Sequence, residues 1–237
     1  MVSGTRRDFL RLAGAAAGLS VMSLSTLRSP AAEAATLVCT HAAPAVRVNV
    51  RMPDPVLDSS QPQRAIQALA SPGYHGGRTV GLYYAEMNAK LQTQFRSLSM
   101  SRAAPACVYI TAVDLNIVMP ARRIYVASEL WEGTCPYTAV LGHERKHQAV
   151  DDLVVSKHTP HLQQAIQDAV LEVGPLDVSA NGREAVQARL QRAVKSAFDK
   201  AWSAFQAERT ELQRQVDAGL EYARVTASCP DWSQLQH

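Results

Sequence analysis

The hydrophobic pattern of this chain changes character near residue 135. Before that point, apolar and polar residues alternate with the two-residue period of β-strands, and after it apolar residues recur every three or four positions, as on helices. The strand-rich part predicts strands over residues 46–52, 79–84, 107–119 and 122–130, and short helices over 61–70 and 87–98. The last two strands flank Pro120-Ala121 and predict a β-hairpin. One face of the strand 107–119 is expected to carry Tyr109, Val113, Leu115, Ile117 and Met119.

Three helices are predicted after residue 135. The first runs to about residue 157 and ends before Thr159-Pro160, the second covers 162–173, and Gly174-Pro175 ends it. The third runs from about 182 to 216, and its apolar stripe is Val186, Leu190, Val194, Phe198, Trp202, Phe205, Leu212 and Val216. A mixed sheet followed by a helical half predicts the α+β class, and residues 71–77 predict a loop.

The strongest chemical signal is the motif H-E-x-x-H, from His143 to His147. Residues four apart on a helix lie on one face, so the two imidazoles can bind a single zinc ion. Glu144 can then serve as the general base for a zinc-activated water. The alternative is a solvated helix whose histidines have this spacing by chance. Apolar residues at helical spacing extend the same face and favour the zinc site: Val140, Val150 and Val154.

A catalytic zinc usually has three protein ligands, so the motif requires one more. The continuation that would supply a third histidine is absent after His147. Glu208 interrupts the apolar stripe of the third helix between Phe205 and Leu212, and a carboxylate there is costly unless it is paired or bound to metal. We therefore predict Glu208 as the third ligand. The alternatives are a salt bridge for Glu208, no third ligand, or a ligand among Glu211, Asp217, Glu221 and His158.

Other residues can support the same chemistry. Asp151 lies four residues after His147, so it is either an acceptor that orients a ligand imidazole or a surface acid. Hydrolysis also needs a group that stabilises the developing oxyanion. Four candidates remain equivalent at the level of sequence: Tyr137, His158, His161 and Tyr222.

The first 34 residues have the features of an export signal. Arg6-Arg7 lies in a twin-arginine pattern, an apolar run follows, and Ala32-Glu33-Ala34 matches a cleavage site. The predicted mature chain, 35–237, is a single domain, strand-rich over 35–135 and helical over 136–237. We expect a periplasmic or secreted protein exported by the twin-arginine route, without stable membrane insertion after cleavage. An N-terminal anchor helix is the alternative.

Charge and cysteine content narrow the partners and the compartment. The signal contains four arginines and two acids, so its removal lowers the net charge from +3 to +1, which gives no electrostatic case for nucleic acid. The mature part contains an even number of cysteines, which predicts two disulfides in an oxidising compartment. The near-symmetry about Pro120-Ala121 favours Cys107–Cys135, which leaves Cys39–Cys229.

The order of these features resembles an uncharacterised bacterial family of predicted secreted zinc-dependent proteases. The resemblance is carried by a signal sequence, the segment Gly76-Gly77-Arg78-Thr79-Val80-Gly81-Leu82, a hairpin, the motif His143–His147 and long helices. It implies a zincin-like fold and a zinc-dependent protease. The family tends to end with Tyr-Asp-x-x-Thr-x-His-Gly, of which this chain keeps Tyr222 and Thr226, so it would be a divergent member.

The sequence thus predicts an exported zinc metallopeptidase that acts on a peptide or protein substrate, with cell-wall peptides as a close variant. The predicted zinc ligands are His143, His147 and Glu208, and Glu144 is the predicted catalytic base and acid. The alternatives are a non-catalytic envelope protein with a structural zinc and an exported partner-binding module. Substrate specificity and oligomeric state are left open by the sequence.

Overall fold

Two mixed sheets and two long helices make up most of the structure, a computed structural model that describes residues 39, 42–70, 79–99, 106–178 and 182–235. The predicted export signal and the predicted loop 71–77 lie outside these residues. The α+β class predicted from the sequence is confirmed. In chain order the elements are β1 Ala45–Arg51, β2 Val56–Asp58, α1 Gln63–Leu69, β3 Gly81–Ala85, β4 Asn88–Ser99, β5 Ala106–Val118, β6 Arg122–Val126, α2 Cys135–Val173, β7 Leu176–Asp177, α3 Arg183–Val216, α4 Gly219–Ala227 and a 3-10 turn at Ser233–Leu235.

The larger sheet is built around β5. This strand pairs with β1 in parallel and with β4 antiparallel, and β7 adds a short antiparallel pairing at Cys107 and Val108. The pairing with β4 skips Thr111, because Gln94 lies opposite Ala112 while Phe95 lies opposite Ile110. A one-residue bulge of this kind reverses which side chains face the core.

Because of this bulge, the residues predicted to share one face of β5 do not all face the core. Before Thr111 the core residues of β5 are even-numbered, and after it they are odd-numbered. Tyr109 is therefore absent from the hydrophobic cluster to which these core residues belong. The cluster members from β5 are Val108, Ile110, Val113, Leu115 and Ile117. They pack against α2 and α3, which cover this sheet with Leu162, Ile166, Val170, Val186, Leu190 and Val194.

The hairpin predicted around Pro120-Ala121 is wrong. Both edges of β5 are already occupied by β1 and β4, so β6 leaves that sheet. It becomes the middle strand of a second sheet, parallel to β2 and antiparallel to β3. Among the described strands β3 has β6 as its partner, so it lies at an edge of this sheet.

The helix predicted over 87–98 is also wrong, because these residues form strand β4. Leu91 and Phe95 are four residues apart, a spacing that suits one face of a strand as well as one face of a helix. An antiparallel ladder along the whole length of β5 decides in favour of the strand.

Helix α2 is continuous, which corrects the predicted break at Thr159-Pro160. It spans 39 residues and passes through Pro160. A proline inside a helix removes one backbone hydrogen bond. Buried side chains on both sides of Pro160 outweigh that loss, since Val154 and Val155 pack in one cluster and Leu162 and Ile166 pack in another.

The boundaries of the third predicted helix are confirmed. Helix α2 ends at Gly174, whose φ is 57°, and α3 follows Gly182, whose φ is 74°. Positive φ is strained for other residues, so these glycines separate the two long helices. Of the predicted stripe, Val186, Leu190, Val194 and Phe205 are fully buried. Across the described residues, the helices lack a segment long and apolar enough to cross a bilayer.

Two disulfides form, but with a different connectivity from the predicted one. Cys39 pairs with Cys107, and Cys135 pairs with Cys229. The predicted Cys107–Cys135 bond depended on the hairpin, and without it Cys107 lies on β5 while Cys135 opens α2. Disulfides are compatible with an exported protein. The second bond ties the start of α2 to the segment that follows α4.

Candidate metal centre

Helix α2 presents the histidine pair on its buried face, as the spacing predicts. His143 is 5% exposed and His147 is 9% exposed, and their ring centroids are 5.0 Å apart. Glu144 is buried beside them. The helix begins with Pro136 in its first turn, where a missing N–H costs little.

The acid that meets the histidines is Asp217, the residue that ends helix α3. Its Oδ1 lies 3.1 Å from Nε2 of His147 and 3.6 Å from Nε2 of His143. A carboxylate oxygen that faces two imidazole nitrogens can accept an N–H from an imidazole, or all three atoms can bind one metal ion. His143, His147 and Asp217 form a group that could hold a metal ion.

The donor spacing of this group suits a small tetrahedral ion. Atoms bound at zinc–ligand distances in tetrahedral geometry lie about 3.4 Å from one another. The two separations between imidazole and carboxylate atoms, 3.1 Å and 3.6 Å, lie on either side of that value. Among the described side chains, Nδ1 of His143 is buried without a hydrogen-bond partner, and it lies 4.0 Å from Oε1 of Glu221. Two imidazoles and one carboxylate also match the ligand chemistry of zinc.

The electrostatics of the group favour the protonated form of His147 and the ionised form of Asp217. Burial acts to lower the pKa of His147, but hydrogen bonds with Asp217 and Gln213 raise it above the usual histidine value. Burial acts to raise the pKa of Asp217, but hydrogen bonds from His143, His147 and Tyr222 hold it well below the usual aspartate range. Asp217 is therefore ionised at neutral pH and available to a cation.

Gln213 fixes the orientation of His147. Its amide nitrogen donates to the backbone carbonyl of His147 at 3.0 Å and to Oδ1 of Asp151 at 2.9 Å. Its amide oxygen must therefore accept, and it accepts from Nδ1–H of His147. This hydrogen bond leaves Nε2 of His147 to face Asp217, which is the tautomer that a metal ligand needs.

Asp151 holds Gln213 in position by accepting a hydrogen bond from its amide nitrogen. It is fully buried and accepts from Arg209 through Nε at 2.7 Å and Nη2 at 3.0 Å, and from the hydroxyl of Tyr83 at 3.1 Å. Of the two roles left open by the sequence, Asp151 is therefore a buried acceptor. It acts on His147 through Gln213, without a direct hydrogen bond to the imidazole.

The edge strand β3 contacts the motif helix directly. The backbone N–H of Tyr83 donates to Oε2 of Glu144 at 2.7 Å. Burial raises the pKa of Glu144 above the usual glutamate value, although His147 and His143 act in the opposite direction. The hydroxyl of Tyr83 accepts from Nε of Arg122 at 2.9 Å, and Arg122 also donates to Asp152 at 2.6 Å, which holds the strand against α2.

Gly81 permits this close approach. A Cβ atom there would lie 2.5 Å from Cγ1 of Val140 and 2.6 Å from Oε1 of Glu144. Both distances are shorter than van der Waals contact. The absence of a side chain at residue 81 is therefore a condition for the position of Glu144.

Replacing Gly81 with alanine should destabilise the protein by about 1–3 kcal/mol through overpacking, which exceeds the gain of up to about 1 kcal/mol from a less flexible backbone. Gly142→Ala is the matched control on α2, because a Cβ there meets nothing within 4 Å. It should leave stability unchanged or raise it by up to about 1 kcal/mol. Urea denaturation measures both, and equal midpoints for Gly81→Ala and the unmodified protein would contradict the close packing.

Glu208, the predicted third ligand, lies elsewhere. Its carboxylate accepts from Nζ of Lys157 at 2.6 Å and bonds Nε2 of His158 at 2.8 Å. These contacts hold its pKa below the usual glutamate range. The structure therefore brings Glu208 into a salt-bridge cluster, the alternative for this residue, and does not bring it to the histidine pair.

The oxyanion candidates also separate. Tyr222 lines the cleft, with its hydroxyl 2.8 Å from Oδ1 of Asp217 and its ring 5.3 Å from that of His143. Tyr137 is buried and hydrogen bonds with Ser59, and His158 is engaged by Glu208. His161 is exposed, and its ring makes an edge-to-face contact with that of His158, outside the cleft.

Asp217 is one of the alternatives to Glu208 that the sequence leaves open, but the side of α3 that faces the site differs from the predicted one. The prediction of Glu208 depends on the apolar stripe, whereas the site residues form a polar series at four-residue spacing: Arg209, Gln213 and Asp217. Residues at this spacing share one helix face, so the series was a detectable signal. Tyr83 carried no comparable signal, because its role depends on where β3 meets α2.

The side chains of His143, His147 and Asp217, called the metal group below because they could hold a metal ion, line a cleft of about 650 Å³. Strand β3 forms one wall, α2 forms the floor, and α3, α4 and the C-terminal residues form the opposite wall. The lining residues are Ala70, Thr79, Val80, Gly81, Leu82, Tyr83, Ala85, Val140, His143, Glu144, His147, Arg209, Gln213, Asp217, Tyr222, Val225, Thr226, Trp232 and Leu235. An acid, a metal-ligand group and an open cleft thus lie together.

Comparisons of the chain with models of protein families, with curated proteins and with solved structures found no match. The function of the chain is therefore inferred from the geometry of the site.

Proposed function

We propose that this chain is an exported zinc-dependent metallopeptidase. The observation that carries the proposal is the joint position of three potential ligands and one buried carboxylate at an open cleft. His143, His147 and Asp217 supply the ligand atoms, and Glu144 lies beside them against an edge strand. The twin-arginine pattern and the two disulfides support export.

Asp217 replaces Glu208 in the proposed ligand set. The three side chains come from two helices that are held together by Gln213 and Asp151. A zinc ion at this group would lower the pKa of water and polarise a substrate carbonyl. Such activation would lower the barrier to peptide hydrolysis, which is extremely slow in water alone.

Glu144 is the proposed general base and acid. It takes a proton from the attacking water and delivers it to the leaving amine. The N–H of Tyr83 holds Oε2 of Glu144, and Oε1 lies close to Gly81, another residue that lines the cleft. A pKa raised by burial makes the carboxylate of Glu144 a stronger proton acceptor.

Two further groups would act on the substrate. The hydroxyl of Tyr222 donates to Oδ1 of Asp217, and on substrate binding it would turn to donate to the carbonyl oxygen on which negative charge develops. Strand β3 lines the cleft and can pair with an extended peptide through outer-edge groups other than the N–H of Tyr83, which donates to Glu144.

The alternative is a non-catalytic envelope protein with a structural zinc. A structural zinc normally has four protein ligands and a closed site. The described group provides three ligand side chains and borders a cleft, which favours catalysis.

Zinc content of the full chain, purified without reducing agent, tests the ligand set. We expect about one zinc per chain, lost in His143→Ala and His147→Ala. Asp217→Ala should weaken zinc binding at least about 100-fold, because the loss of an outer-sphere partner alone costs 10- to 100-fold. Glu208→Ala is the matched control on the same helix and should retain zinc. Retention in Asp217→Ala with loss in Glu208→Ala would reverse the assignment, and an absence of zinc in the unmodified chain would remove the proposed function.

A further inference from the structure

The cleft has two chemically different ends. Its ionisable lining groups gather around the metal group and Arg209. Away from them, the described lining side chains are uncharged. We call Val140, Val225, Trp232 and Leu235 the apolar end of the cleft.

Helix α4 connects the two ends. Tyr222, Val225 and Thr226 lie three and four residues apart, so they share one face of this helix. Tyr222 is at the metal group, where its ring is 5.3 Å from that of His143. At the other end Nε1 of Trp232 donates to the carbonyl of Thr226 at 3.0 Å. The face of α4 therefore runs from the metal group to the indole.

The apolar end lies beside the proposed general base. Val140 is one helical turn before Glu144, on the same face of α2. Trp232 and Leu235 pack against the cluster that contains Val140, Ile124 and Tyr137. A substrate side chain next to the reacting carbonyl would therefore meet this apolar surface.

The wall that forms the apolar end is held in place before any substrate arrives. Helix α4 has no fully buried residue, so its own packing fixes it weakly. The Cys135–Cys229 disulfide joins the residues after α4 to the start of α2, and Lys146 pairs with Glu221. Because the wall is preformed, binding a substrate side chain does not require the wall residues themselves to be ordered.

We propose that the cleft selects protein substrates with a large apolar side chain beside the scissile bond, which is seated at Val140, Val225, Trp232 and Leu235. This inference rests on the proposed function for the reaction, whereas the apolar end itself consists of residues outside the metal group. It disfavours the peptide cross-links of bacterial cell walls, which are composed of small and charged residues. The substrate class is thus an extended, unfolded or flexible protein segment.

Peptide binding to the full-length Glu144→Gln variant tests the inference without turnover. The probes are capped hexapeptides of glycine and serine that carry one leucine, alanine or glutamate, and calorimetry is run on metal-free and zinc-loaded protein. The leucine peptide should bind at least about tenfold more tightly than the alanine peptide, since each buried methylene changes Kd by about fourfold. The glutamate peptide should bind most weakly.

Two variants locate the preference. Trp232→Ala should reduce the leucine preference at least about threefold, and Trp131→Ala, which changes an exposed tryptophan outside the cleft, should keep it. Val225→Thr preserves the shape of α4 and should also reduce the preference for the leucine peptide. This variant provides the test if Trp232→Ala does not fold. Equal binding of the leucine and alanine peptides, or no binding in either metal state, would overturn the inference. Zinc content and cleavage dependent on Glu144 are separate readouts of the proposed function, so the two failures are distinguishable.

Discussion

Glu144→Gln should reduce kcat/KM for an unfolded protein substrate by about 100- to 10,000-fold, the range contributed by general acid–base catalysis. Glutamine has nearly the same shape and can still accept the hydrogen bond from the N–H of Tyr83, so the fold should persist. What it cannot do is take a proton from water. Release of a fluorescent fragment from labelled casein, measured with zinc content on the same sample, provides the test.

Glu208→Gln is the control for this experiment. It makes the same chemical change at a carboxylate paired with Lys157 and His158, outside the cleft, and should leave hydrolysis intact. A Glu144→Gln protein that keeps its zinc and retains full activity would eliminate Glu144 as the base. Loss of zinc in the same variant would mean instead that Glu144 supports the metal group.

The second large effect is expected on stability. Arg209→Met should lower the free energy of unfolding by about 3 kcal/mol, because it leaves a carboxylate buried without its charged partner. Asp151 is completely buried, and Arg209 is its bidentate donor. Methionine keeps most of the volume of the arginine side chain, so the lost charge is the main change. Urea denaturation measures it as a lower midpoint with an unchanged slope.

Arg214→Met provides the comparison on the same helix. Arg214 pairs with Glu211 on the surface, with side chains 69% and 49% exposed, and solvent screening makes the contribution of such pairs to stability small. A second test adds Asp151→Asn to Arg209→Met, which should recover part of the loss because no buried charge remains. Equal losses for Arg209→Met and Arg214→Met would show that Asp151 does not depend on its partner.

Local sequence patterns were sufficient to predict the features that depend on a single helix. The spacing of His143 and His147 predicted that both would lie on one buried helix face. Gly182 and the apolar stripe gave the bounds of α3 to within a residue. In both cases the relevant information lies within one or two helical turns.

Features that depend on contacts between segments far apart in the sequence could not be predicted from local patterns. Strand β6 was assigned to the wrong sheet because the sequence does not show that both edges of β5 are occupied. The disulfide prediction failed for the same reason, since it was derived from that hairpin. The bulge at Thr111 depends on the register with β4, and Asp217 meets the histidines only because α3 packs along α2.

The two disulfides close separate loops, one from residue 39 to 107 and the other from 135 to 229. A single cut at the exposed Glu132-Gly133, between the loops, would leave two fragments with no covalent link, whereas a single cut inside either loop would leave one species on a non-reducing gel. The first fragment would carry Tyr83 and the second would carry Glu144. The chain is therefore suited to fragment complementation, in which recovery of hydrolysis would report that the two pieces have reassociated.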